Sequence, residues 1–86
     1  MSEIHRKIEI IKRTNLKDVL ISTVYIGFNG YFETMVFPIL KSGEIDHSVD
    51  KECERYNTRK QAIKGHEKLV CKYEKELRNK CDYEIS

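Results

Sequence analysis

Glu33 and His66 are the two residues best placed to do chemistry together. Glu33 interrupts the long apolar stretch Val19–Ile39 (VLISTVYIGFNGYFETMVFPI), and His66 lies mid-way along the apolar arc of a helix-patterned segment. Gly65 beside it lets a helix backbone approach a sheet closely, although glycine costs about 1 kcal/mol in a helix. A carboxylate and an imidazole meeting between sheet and helix would be a charge-assisted pair able to act as acid and base. The alternatives are a satisfied structural hydrogen bond, or a Glu33 that reaches solvent at an edge. Catalysis also needs a nucleophile, a metal or an oxyanion site. The chain has no Gly-rich phosphate loop, no Ser-centred elbow and no paired catalytic carboxylates. The expectation is a protein that is not an enzyme, with Glu33 and His66 as weak catalytic candidates.

Metal chemistry has less support. Cys53, Cys71, Cys81, His5, His47 and His66 are donor types for zinc, but no C-x-x-C or H-x-x-x-H pair occurs. One helix would hold Cys71 and Cys81 about 15 Å apart on different faces. Scattered free thiols are the simpler reading, and neither a metal nor a cofactor is implied.

Two charge clusters are candidates for partner binding. Lys60, Lys64, Lys68, Lys72 and Lys75 share one side of the helical segment, and Arg6, Lys7, Lys12, Arg13 and Lys17 form a second basic group. Such cations can meet phosphates, and exposed aromatics can stack on bases. Against this stand a formal net charge of only +2 and the lack of a helix-turn-helix, RNP-like or KH-like signature. The connection Lys41–Glu54 carries Glu44, Asp46, Asp50, Glu52 and Glu54. It reads either as a solvated surface or as an acidic loop that engages a basic groove on a partner, with charge separation steering the encounter.

The elements that position these residues follow from pattern. Eighty-six residues make one domain, 1–86, with a small core over about 8–79 and loose termini. Ile4, Ile8 and Ile11 have helical spacing, but the β-branched pair Ile10-Ile11 favours a strand over about Ile8–Thr14. A hairpin with a tight turn at Asn29-Gly30 follows, since that pair tolerates positive φ. A two-residue loop sets Phe28 against Tyr31, Ile26 against Glu33, Val24 against Met35 and Ser22 against Phe37. The opposite face carries Ile21, Thr23, Tyr25, Phe32, Thr34 and Val36. Neither face is plainly polar, so the sheet is covered on both sides or one side meets a partner. Pro38 ends the third strand or sits at an edge, and Cys53–Tyr56 reads as a short fourth strand.

Thr58 and Gln61 have the spacing of a capping box that opens a helix running to about Asn79. At about 100° per residue, Ala62, His66, Leu69, Val70, Tyr73 and Leu77 fall on one arc. The result is an α+β domain, an antiparallel meander of three or four strands with one C-terminal helix across a face.

Several of these blocks, taken in order, resemble a group of small bacteriophage and prophage proteins. They are Ile21-Ser22-Thr23-Val24-Tyr25-Ile26-Gly27, Phe32-Glu33-Thr34-Met35-Val36-Phe37, Arg55-Tyr56-Asn57-Thr58, Ala62 and Gly65-His66. The group's pattern runs S-T-V-aromatic-L-G, a loop, F-E-T-M-V-F, R-Y-x-T and A-x-x-G-H, and the likeness covers about Ile8–Lys72. This chain has only Phe28-Asn29-Gly30 where the group carries a longer loop with Asp-His and Gly-Pro. The resemblance implies a phage or prophage origin and an accessory role inside a bacterial host, and it implies no reaction.

The leading functional expectation is a non-catalytic protein that binds a host or phage protein or ribonucleoprotein, in the manner of an anti-CRISPR inhibitor. Nucleic-acid binding through the basic helix face is the second class, and a small enzyme using Glu33 and His66 the third. A homodimer through an exposed sheet face fits all three. Met1–Thr14 lacks the apolar core of a signal peptide, and the apolar stretch is too interrupted to span a bilayer, so the expected setting is the host cytoplasm.

Overall fold

The computed structural model describes residues 8–27 and 29–85, the side chains of 79–85 excepted. Four strands, β1 (Ile8–Asn15), β2 (Val19–Ile26), β3 (Tyr31–Pro38) and β4 (Glu52–Tyr56), form one antiparallel sheet in the order β1-β2-β3-β4. One helix, α1 (Arg59–Ile85), packs across it. The meander uses only neighbouring connections, the simplest route for a short chain. Ile4 and Phe28 lie outside the described residues, but β1 is a strand and not a helix.

The hairpin register differs from the two-residue-loop expectation. Ile26 pairs with Tyr31, Val24 with Glu33, Ser22 with Met35 and Leu20 with Phe37. Gly27, Asn29 and Gly30 lie in the loop. The amides of Asn29 (3.1 Å) and Gly30 (2.8 Å) both donate to the Ile26 carbonyl, and Gly30 adopts φ 75°. That positive φ is why glycine stands there. The slip is two residues, so every side chain keeps its face.

A bulge in β1 has larger consequences. Ile10 pairs with Val24 and Lys12 with the next residue, Thr23, so Ile11 is an extra residue without a partner. Before the bulge, Ile8 and Ile10 lie on the face of Val24 and Ile26. After it, Lys12 and Thr14 lie on the other face, beside Thr23 and Ile21.

That second face is the one α1 covers. Val19, Ile21, Val36, Leu69 and Tyr73 form its buried apolar cluster, with Leu16 and Val70 packed against them. The helix begins as its pattern predicts. Gln61 N–H donates to Thr58 Oγ1 (3.1 Å), while the Gln61 side chain accepts from Asn57 N–H, one residue before the expected position. Ala62, His66, Leu69 and Tyr73 are buried and Val70 and Leu77 half-buried, as the arc requires.

The helix continues past the expected end at Asn79 to Ile85. At 1.5 Å per residue its 27 residues span about 40 Å. This exceeds the roughly 26 Å of an eight-residue strand, and the extents are 57 × 28 × 15 Å. The short axis is two layers deep. On the sheet's other face Leu20 is buried at the end where His47 meets Phe37, while the end around Ile8 and Ile10 is open.

Candidate functional site

Beneath the helix, His66 is fully buried and bonded at both ring nitrogens. Nδ1 lies 2.7 Å from Thr23 Oγ1, and Nε2 lies 2.8 Å from Thr14 Oγ1. Thr23 Oγ1 lies in turn 2.6 Å from Thr34 Oγ1. Thr23 and Thr34 are themselves fully buried. A neutral imidazole offers one donor and one acceptor, and three hydroxyls can complete the chain in either direction. Burial, with Lys12 adding to it and Glu67 opposing, holds the His66 pKa below its ordinary value. The imidazole is therefore neutral near pH 7. Among the described residues no buried side-chain nitrogen or oxygen lacks a partner. Such a closed network fixes the helix on the sheet. It leaves His66 no route to a substrate.

Glu33 is on the opposite face. It lies between the buried Phe32 and Thr34, and alternation turns it away from His66. Its Oε2 accepts from Arg55 Nε at 3.2 Å and from Cys53 Sγ at 3.5 Å, and the Arg55 guanidinium lies 4.9 Å from the centre of the Tyr31 ring. The structure thus separates the two catalytic candidates by the thickness of the sheet. Desolvation and the Glu33 carboxylate push the Cys53 thiol pKa up, so this sulfur is a poor nucleophile and a poor metal ligand. Cys53 and Cys71 are free, and no group of metal-ligating side chains occurs among the described residues.

The acidic connection is not one patch. Leu40 N–H donates to the Glu44 carbonyl and Ile39 bridges Ile45, with Gly43 at φ 95° turning the chain between them. The Asp46 carboxylate accepts from the Ser48 amide at 3.0 Å, and also from its hydroxyl, which lowers the Asp46 pKa. The His47 ring meets Phe37 edge-on, 5.0 Å between centres. Glu44 and Asp50 are exposed, but Glu52 belongs to β4 and turns inward. It accepts from Lys72 and, at 2.6 Å, from the buried Tyr73 hydroxyl. Those two bonds hold its carboxyl below the usual range. Glu54 accepts from Tyr56 Oη at 3.1 Å.

The lysine ridge is exposed throughout, and Lys72 is committed to Glu52. Among the described residues, none of the ion pairs uses Lys60, Lys64, Lys68 or Lys75. Lys12 of β1 pairs with Glu67 across the other flank of α1 (3.1 Å).

Sequence reasoning missed two sites. One is the threonine set around His66, hidden because threonine in a β-branched run reads as strand propensity. The other is a groove of about 900 Å³ between the end of β4 and α1, bordered by Tyr56, Asn57, Gln61, Lys64 and Lys68. Tyr56 packs so close to Gly65 that a Cβ there would lie 2.0 Å from Tyr56 Oη. Burial, and donation to Glu54, raise the Tyr56 pKa to about 12.

No helix among the described residues is long and apolar enough to cross a membrane. No protein-family model, curated protein or solved structure matches the chain.

Proposed function

We propose that this chain is a small phage-type accessory protein that acts without catalysis, by binding a macromolecular partner in the bacterial cytoplasm, with inhibition of a host defence system as its specific form. The observation that supports this most is the open part of the sheet face that α1 does not cover. It presents Ile8 and Ile10, 57% and 59% exposed, beside half-buried Val24, Ile26, Tyr31, Met35 and Phe37. Its Glu33 charge is closed internally by Arg55. Arg13, exposed beside Ser22, is the remaining charge on this face, and the apolar character of the rest favours a protein partner over a polyanion. The phage-like order of sequence blocks supplies the biological setting, and the anti-CRISPR form rests on that setting alone. The catalytic reading loses its dyad to the opposite-face placement of Glu33 and His66. Nucleic-acid binding keeps one supporting observation, the uncommitted lysines of α1.

Affinity capture from the lysate of a CRISPR-carrying bacterium, with and without nuclease, tests the reading. The expected result is one defence protein or ribonucleoprotein retained by the native chain after nuclease and lost with Ile10→Lys. Retention that vanishes with nuclease would transfer the function to nucleic-acid binding. Retention of nothing would contradict partner binding, unless a size measurement shows that a second copy already covers the face.

A further inference from the structure

β4 is the outer strand of the sheet on the side where the helix leaves a groove. Alternate amides and carbonyls of an edge strand point away from its only neighbour and are free to bond another backbone. The other edge, β1, is broken by its bulge at Ile11 and carries Lys12 and Arg13, two devices that discourage strand addition. Beside β4, the 900 Å³ groove adjoins a second hollow of about 330 Å³ reaching Glu52, Leu69 and Lys72. The two share Glu54, Tyr56, Gly65 and Lys68, so together they follow the whole length of the strand.

The charges in this groove are unequally used. Glu52 accepts from Lys72 and Tyr73, Glu54 from Tyr56, and Glu67 from Lys12. Arg55 is held by Glu33. Lys64 and Lys68 enter no ion pair among the described residues. Glu54 keeps its charge, since the Tyr56 hydroxyl is neutral, so Lys64 and Lys68 against Glu54 leave a net positive charge for a ligand, while the free main-chain groups of β4 call for a backbone and not a sugar-phosphate chain. Tyr56, the aromatic at this site, has its ring over Gly65 and is not free to stack on a base.

We infer that the β4 edge and the groove beside α1 take an extended acidic peptide segment as a fifth strand, its carboxylates reaching Lys64 and Lys68. Strand addition supplies affinity through main-chain bonds, and alternate side chains entering the groove supply selectivity. This surface is separate from the open sheet face, and the inference does not depend on the reading given for that face.

A displayed library of random nonapeptides, selected against the intact chain, tests it. The expected outcome is enrichment of sequences with Asp or Glu at alternate positions. Titration of a selected peptide should shift the backbone amide resonances of residues 52–56, and Lys64→Glu/Lys68→Glu should weaken binding by about ten-fold or more. Both lysines are exposed, so this variant should fold, and Ile10→Lys should leave binding unchanged. The inference is overturned if no peptide is enriched, if enriched peptides lack acidic residues, or if they shift open-face amides and not β4. It is equally overturned if an oligothymidylate of matching charge binds more tightly at the same lysines.

Discussion

The two faces of this sheet are built from nearly the same residue types and do opposite things. Each carries branched aliphatics, an aromatic or two and one chemically conspicuous group. On the covered face that group is His66, whose ring nitrogens both have threonine hydroxyl partners. On the open face it is Glu33, whose carboxylate is answered by a surface arginine. The side chain with the reputation for catalysis is the structural one in each case, but with different stakes. A buried polar group is costly to orphan, whereas a pair with an exposed partner contributes little.

The comparison is broken most severely at the imidazole. His66→Ala would create a cavity, leave the Thr14 hydroxyl without its ring partner and leave Thr23 with Thr34 alone. It should cost about 3 kcal/mol or more, read by chemical denaturation, a large part of the whole in a domain of this size. Deletion of Ile11 should cost less by the same measurement, because it removes the unpaired residue and keeps Thr14 beside Ile21 on the covered face.

Acidification should act on the same site. The folded-state pKa of His66 is lowered, so the unfolded chain binds its proton more readily. Stability should therefore be full above about pH 6.5 and fall as pH drops below it, by at most about 1.4 kcal/mol per unit for one proton. Glu52, also lowered, should add a second decline beginning below its ordinary value of 4.5. Denaturation midpoints from pH 8 to 3 would show both steps, with Glu52→Gln removing only the second.

Gly65→Ala is expected to be destabilising, by about 1–2 kcal/mol, because its methyl must displace the Tyr56 ring. In a Tyr56→Ala background the same substitution should become stabilising by up to about 1 kcal/mol, since only helix propensity remains. That reversal of sign is the check. At the small end, Glu33→Gln should change stability by less than about 1 kcal/mol.

The parts of this fold that depend on local pattern were legible. The hairpin, the capping residues and the helix arc from Ala62 to Leu77 follow from turn chemistry and periodicity. Alternation even separates Glu33 from Thr34, and so from anything that touches Thr34. What pattern could not decide was which face the helix covers, because Val19, Ile21 and Val36 are no more apolar than Val24, Ile26 and Met35. The Ile11 bulge was invisible for a related reason. Ile10 and Ile11 are both good strand residues, and only the tertiary demand for Thr14 at His66 distinguishes a bulged register from a regular one. The charge clusters were easy to see and hard to interpret. Glu52 and Lys72 belong to two separate charge clusters of the sequence and are partners of each other in the fold.

The most direct test of this division is the titration of the His66 ring by nitrogen-15 and carbon-13 NMR, in the native chain and in Glu33→Gln. The expected result is a neutral imidazole whose pKa lies below the ordinary 6.5 in both proteins, with no shift between them. A pKa above 6.5 that falls when Glu33 loses its charge would mean that the two residues meet, and would return the catalytic reading to first place.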